Sequence, residues 1–385
     1  MKRFISYYFL MFFSWSSVFT LVTVYFNEAV GLSLSTIGLV MSILPLISLF
    51  FQPVWGGISD FSGRRKAVLV LLLISNAVIA IGITWLTKSY LVIGMYLVYQ
   101  VFLCGQGPLS DAMAIQFVNT HPGKSFGFIR LWGSIGYASG AFVVAAVANV
   151  LGLKWIFYVA AVGFILAAVQ MAQVQSKQEK IHKVSFMKDI NTLLKDKGYL
   201  FVLIYSFFLV GSFFGADQYL SLFIRHQGIS VTVLGTLTFA SVCVEVPFML
   251  NSKRLISKFG ALRMLIFMNC LAILRMVLLG FSTSLIHFIL AGILRGVIVG
   301  IFIPLFVELI CEVTPSGIVT SAVALYSAIS SGVANFIFTL VGGFIADWAG
   351  YDSLFWSYAA VMMVPLVLVM KFGKMQKISA TRGLV

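Results

Sequence analysis

Residues 56–66 read GGISDFSGRRK, with a single carboxylate at Asp60 and three consecutive cations, Arg64, Arg65 and Lys66. On either side the chain is almost wholly apolar, over 36–58 before and 66–86 after. A bilayer core is crossed by about 20 consecutive apolar residues in a helix. The turn between two such runs is therefore the tip of a membrane hairpin. Gly63 permits the tight reversal, and the basic triplet belongs in a loop outside the hydrocarbon.

Working outward, further apolar stretches of the same kind follow. With the first two they make twelve: 5–27, 36–58, 66–86, 90–113, 128–150, 154–173, 199–222, 231–251, 261–282, 285–309, 316–342 and 353–371. They are continuously apolar rather than alternating, which excludes a membrane β-barrel. Of the 385 residues 61% are hydrophobic and 10% charged, so the apolar surplus has to face lipid. The expectation is an all-α integral membrane protein with twelve transmembrane helices in two halves of six. Residues 175–198, QSKQEKIHKVSFMKDINTLLKDKG, are the one long polar stretch. They divide an N-terminal half (1–174) from a C-terminal half (199–385). Within them, Phe186 to Leu194 has helical periodicity that suits either a membrane surface or a solvated linker.

The net charge of +14 is a topology signal. Lys2, Arg3, Arg64, Arg65, Lys66, Lys124, the linker lysines, Lys253, Arg254, Lys258, Arg263, Lys371, Lys374, Lys377 and Arg382 all fall on one side. The opposite loops hold Lys88, Lys154 and Arg225. Cytoplasmic loops collect Lys and Arg, which puts both termini and the linker inside a cell membrane. The excess also favours acidic lipid and is no nucleic-acid footprint. Met1-Lys2-Arg3 followed by a long span reads as a retained first helix. Cys104, Cys243, Cys270 and Cys311 are scattered inside spans as small apolar residues. The four histidines show no metal-ligand spacing.

The halves look related. After span 8 the chain reads Lys253-Arg254-Leu255-Ile256-Ser257-Lys258-Phe259-Gly260, and Gly343-x-x-x-Asp347-x-x-Gly350 closes span 11. The G-x-x-x-D-x-x-G-R-R-K form after span 2 resembles the signature of the major facilitator superfamily. The resemblance implies two pseudo-symmetric halves around a central site and a cytoplasmic gate at Gly56, Asp60, Gly63, Arg64 and Arg65. Gly56 would let helices approach closely. Asp60 would accept hydrogen bonds from a helix N-terminus or an arginine.

A second motif, Phe126-Gly127-x-x-Arg130-x-x-Gly133-x-x-Gly136-Tyr137, opens span 5. It resembles the lactose permease and phenylpropionate permease-like branch of that superfamily. The implied substrate-binding residues are Arg130 and Tyr137 (where lactose permease has tryptophan), Asp111 in span 4, Asp217 in span 7 and Arg275 in span 9. Ionisable residues inside spans are costly and point to function by default. Glu245 and Arg295 reach similar depth and are expected to pair as the proton-coupling site. Span 10 departs from the lactose-type relay, with Gly292, Arg295 and Ile298 at the relay positions. Glu28, Glu308 and Glu312 read as boundary residues.

No G-x-x-x-x-G-K-[ST] loop and no nucleophile–base set is present, which points away from an ATPase or other enzyme. The expectation is a secondary transporter for a small polar or anionic solute: a sugar, nucleoside or aromatic acid. It is expected to work by proton symport, without a cofactor, as a monomer. Proton-antiport efflux is the alternative; a membrane sensor or lipid-modifying enzyme would need parts the sequence lacks.

Overall fold

The computed structural model describes residues 1–119, 126–174, 193–282, 284–314 and 318–382. Most of the 175–198 linker lies outside them, as do His121, Lys124 and His182. Among the described residues, eleven helices are long and apolar enough to cross a membrane. They are α1 (Lys2–Ala29), α2 (Leu34–Ser62), α3 (Arg65–Trp85), α4 (Ser89–Val118), α5 (Phe126–Leu151) and α6 (Trp155–Ala172). After the linker come α7 (Lys197–His226), α8 (Val231–Phe259), α9 (Ala261–Gly280), α10 (Leu285–Val313) and α11 (Ser321–Lys371). At 51 residues α11 would be roughly 75 Å long at 1.5 Å per residue, more than twice a bilayer core. It is broken at Gly350, whose φ of 81° and ψ of 171° are not helical. The segments before and after that glycine are the eleventh and twelfth crossings, so the expected all-α, twelve-helix architecture holds.

The turns follow from the motifs. Gly63 ends α2 in the left-handed region (φ 63°, ψ 9°). Its counterpart Gly260 precedes α9 at φ 83°. Both conformations are open to glycine and strained for residues with a Cβ. The sequence repeat thus places a positive-φ glycine at both turns, with ψ of 9° at Gly63 and 146° at Gly260. Helix α1 is less regular. It is α-helical over Lys2–Phe19 and π-helical over Tyr25–Ala29, where the Val30 amide reaches the Tyr25 carbonyl at 3.1 Å.

By packing, the chain forms two compact units: Met1–Lys183 with Leu220–Val242, and Val184–Tyr219 with Cys243–Val385. In the first, α1 is the central helix and packs on α5 and α6, while α3 packs on α6 and α4. Small residues make this possible. A Cβ on Gly136 of α5 would collide with the Phe9 carbonyl, and one on Gly140 with the Phe13 carbonyl. A Cβ on Gly163 of α6 would collide with the Ser14 hydroxyl. In the second unit α9 packs on α10 and α11. Buried tyrosines tie it together by donating to backbone carbonyls of α11, Tyr199 to Ala322 at 2.7 Å and Tyr219 to Thr339 at 2.5 Å. In lipid such bonds satisfy hydroxyls that have no water to turn to.

The close approach expected of Gly56 is absent. A Cβ there would meet nothing within 4 Å. In the first unit the glycines that bring helices together include those of the α5 motif and Gly163 of α6.

Candidate functional site: charged clusters inside the spans

In the second unit one carboxylate sits between two guanidinium groups. Asp217, half-buried on α7, accepts from Arg275 Nη2 of α9 at 2.5 Å through Oδ1. It accepts from Arg295 Nε of α10 at 2.8 Å through Oδ2. Arg275 is fully buried. Its Nε donates to the Ala291 carbonyl at 3.1 Å. Its guanidinium lies over the ring of Phe213, 4.8 Å from the centroid. Phe213 precedes Asp217 by one helical turn, so one face of α7 supplies both the aromatic platform and the carboxylate. Arg275 Nη1 has no hydrogen-bond partner; the ring face attracts the cation instead. Three charges in apolar spans are tolerable only because each is paired.

The ion pair shown by Arg295 is thus with Asp217. Glu245 is half-buried on α8, where α8 and α10 touch: a Cβ on Gly300 would lie 2.5 Å from the Glu245 carbonyl oxygen.

In the first unit Asp111, half-buried on α4, accepts from the Tyr8 hydroxyl of α1 at 2.7 Å. The neighbouring pair repeats the contact: Tyr7 and Ser110 hydroxyls are 2.6 Å apart. Farther along α1, Trp15 Nε1 donates to Gln106 Oε1 at 2.9 Å. Arg130 of α5 lies over the Phe12 ring at 4.2 Å from the centroid. It faces α1 and is half-buried. Its charge is close enough to act on Asp111, but the hydrogen bond of that carboxylate goes to Tyr8. Tyr137 is half-buried on the same helix.

Sequence reasoning missed Tyr8, Phe12 and Phe213. The signal for the first two was present: Tyr7, Tyr8, Ser14, Trp15, Ser16 and Ser17 make span 1 too polar for a lipid-facing helix.

The motif after α2 forms a compact turn. Arg65 Nη2 reaches Asp60 Oδ1 at 3.0 Å across Gly63, so the arginine that Asp60 accepts from belongs to its own loop. Arg64 is exposed. Lys66 does something its sequence position did not reveal. Its Nζ donates to the Ala172 and Val174 carbonyls, each at 3.2 Å, and Arg3 donates to the Gln173 carbonyl. Two cations thus cap the carbonyl end of α6, where the helix dipole is negative. Among the described residues no group of His, Cys, Asp and Glu is arranged to hold a metal ion.

Comparison with known proteins agrees with this architecture. A family model described as "MFS_1 like family" matches residues 2–359. The maltose permease of Geobacillus stearothermophilus is 27% identical over 370 residues, covering 94% of this chain and 93% of that one. The sucrose permease of Escherichia coli is 29% identical over 145 residues, covering 36% and 34%. The crystal structure of the nucleoside transporter NupG superposes with a TM-score of 0.81 at 17% identity, covering 97% and 98%, a likeness of fold alone.

Proposed function

The chain belongs to the MFS_1 like family of membrane transporters, and on that premise we propose that it carries a neutral, hydroxyl-rich solute, a sugar or a nucleoside, across the cytoplasmic membrane by proton symport. It is a multi-pass membrane protein and a transporter rather than an enzyme. The observation that carries the substrate reading is the Asp217–Arg275–Arg295 cluster taken with its first-unit counterpart. Asp111, Asp217 and Glu245 match Arg130, Arg275 and Arg295 one for one, so the mid-span charges sum to zero and leave no surplus cation for an anion. Carboxylates accept and guanidiniums donate, which suits a ligand whose hydroxyls do both. The maltose permease aligned over nearly the whole chain supports the sugar reading. The aromatic face of the half-buried Tyr137 adds a surface on which a ring can lie.

Asp111, Arg130 and Tyr137, with Asp217 and Arg275, are the proposed substrate residues. Glu245 with Arg295 is the proposed coupling site, because a carboxylate inside the membrane can load a proton on one side and release it on the other. Such a carrier alternates between two states, each open to one side. The Lys and Arg asymmetry supports a cytoplasmic position for both termini.

Equilibrium exchange in proteoliposomes tests the substrate reading without needing a gradient. Vesicles loaded with one unlabelled sugar or nucleoside are diluted into the labelled compound, across a panel. The expected result is exchange of at least one member above protein-free vesicles, lost in Arg130→Ala. Exchange of carboxylate solutes alone would overturn the neutral-solute assignment.

A further inference from the structure

We infer that a groove between α1 and α6 holds one acyl chain of an anionic phospholipid, with the lipid's phosphate beside Lys154. The groove lies wholly within the first unit. It has a volume of about 390 Å³ and is lined by Phe9 and Phe13 of α1 and by Trp155, Tyr158, Val162 and Leu166 of α6. None of these residues belongs to the charged clusters described above.

The shape of the groove follows from how closely its two helices meet. Gly163 lies at its floor, and the Ser14 hydroxyl of α1 stands where a Cβ would be. On α5, Gly136 meets the Phe9 carbonyl in the same way. With α1 drawn in on both, the rings of Phe9 and Phe13 remain half-buried, stacked along the helix with centroids 6.2 Å apart. Across from them, residues 154, 158, 162 and 166 follow at the i, i+4 spacing that sets side chains in one row. From Trp155 to Leu166 that row is roughly 17 Å long at 1.5 Å per residue. This is close to one leaflet of a hydrocarbon core about 30 Å thick. The length therefore suits a single chain of one leaflet.

The lining selects hydrocarbon. Its polar side-chain groups are the Trp155 indole N–H, at one end, and the Tyr158 hydroxyl, which lies 2.9 Å from the Thr84 hydroxyl of α3. A sugar or nucleoside would find no set of donors and acceptors there. An acyl chain gains dispersion contacts on a concave wall that a convex helix surface does not supply. The rings of Trp155 and Tyr158, 5.3 Å apart, mark the headgroup level. Lys154 stands just before them, exposed and without an ion pair among the described residues. Lys88, at the same end of the unit, has its ammonium over the Tyr90 ring, 6.0 Å from the centroid. Arg3 bonds the other end of α6, at Gln173, so Lys154 belongs to the membrane face away from the N-terminus. A lysine at headgroup level attracts a lipid of net negative charge above a zwitterionic one.

Native mass spectrometry of the purified full chain tests this with no solute present. The chain is delipidated and then incubated with equal amounts of dioleoylphosphatidylglycerol and dioleoylphosphatidylcholine, and the first lipid retained is counted. The anionic lipid is expected to predominate. Lys154→Gln should lower its ratio to the zwitterionic lipid about fivefold, the effect of one lysine near the surface, and Lys154→Arg should preserve it. Val162 is 59% exposed, so Val162→Trp can fill the groove without disturbing the core; it should reduce retention of both lipids. Lys258→Gln, at the end of α8, should leave the ratio as it is. An unchanged ratio in Lys154→Gln, or an equal fall in Lys258→Gln, would overturn the headgroup assignment. Undiminished retention in Val162→Trp would overturn the groove. A dimer mass that Val162→Trp abolishes would assign the groove to a second copy of the chain instead.

Discussion

At the scale of single residues, Asp217 is the position on which most depends. It serves two cations in a region where water is scarce, so its loss strands both. Removing one partner of a buried ion pair costs about 3–5 kcal/mol, chiefly because the other charge is left behind. Asp217→Asn is therefore expected to lower thermal stability sharply, and Asp217→Leu alone to do the same. Combining Asp217→Leu with Arg275→Met removes the stranded guanidinium and should recover roughly 2 kcal/mol. Melting curves of the two single variants and the double give this coupling directly. Strictly additive losses would mean that Asp217 and Arg275 do not depend on each other. The charges themselves were legible, because an ionisable residue in an apolar run stands out whatever its surroundings. That Asp217 would serve both Arg275 and Arg295 was not, because depth leaves open which helix is the neighbour. The contact with Asp217 arises from how α7, α9 and α10 pack. For Tyr8 and Phe12 the polarity of span 1 marked the helix, but not the neighbours they meet.

At the scale of helices, glycine decides which pairs come close, and the two motifs exchange roles. In the α5 motif the spacing Gly133-x-x-Gly136-x-x-x-Gly140 forms a seam that receives α1, with the Phe12 ring against Gly133 and backbone carbonyls where a Cβ on Gly136 or Gly140 would stand. In the motif after α2, Gly56 lies in open space and only Gly63 is required by its φ of 63°. Two substitutions of the same kind should then act in opposite directions. Gly136→Ala meets backbone that cannot swing aside and is expected to cost about 1–3 kcal/mol. Gly56→Ala meets nothing and improves helix propensity, for a gain of about 0.5–1 kcal/mol. Thermal melts in one detergent compare them. Equal effects of the two would remove the packing account of the α5 motif. Most element boundaries were readable from hydropathy to within a few residues, but α8 runs on to Phe259, well past the apolar run that ends at 251. The π-helical turn in α1 was not, since an extra residue in a helical turn leaves no mark on apolar periodicity.

At the scale of the whole molecule, the fold was the most legible feature. Continuous apolar runs and a central polar linker have few solutions in lipid, where only helices satisfy their own backbone. What the linear division at 175–198 did not convey is that Leu220–Val242 packs with the first unit. That grouping depends on the ends of helices rather than on their order. Orientation follows from charge. Reporter fusions at Lys183 and at the C-terminus are both expected to read cytoplasmic, and an external signal from either would reverse the assignment. The central claim is that this chain uses a proton gradient to move a sugar or nucleoside. It is tested most directly by accumulation in proteoliposomes carrying the purified protein, with maltose and a nucleoside as labelled solutes and an imposed pH gradient, alkaline inside. The account predicts that one of them rises inside above its external concentration, that the rise collapses when a protonophore dissipates the gradient, and that Glu245→Gln abolishes the rise while leaving equilibrium exchange in place. Accumulation that survives the protonophore, or entry that never exceeds the external concentration, would contradict it.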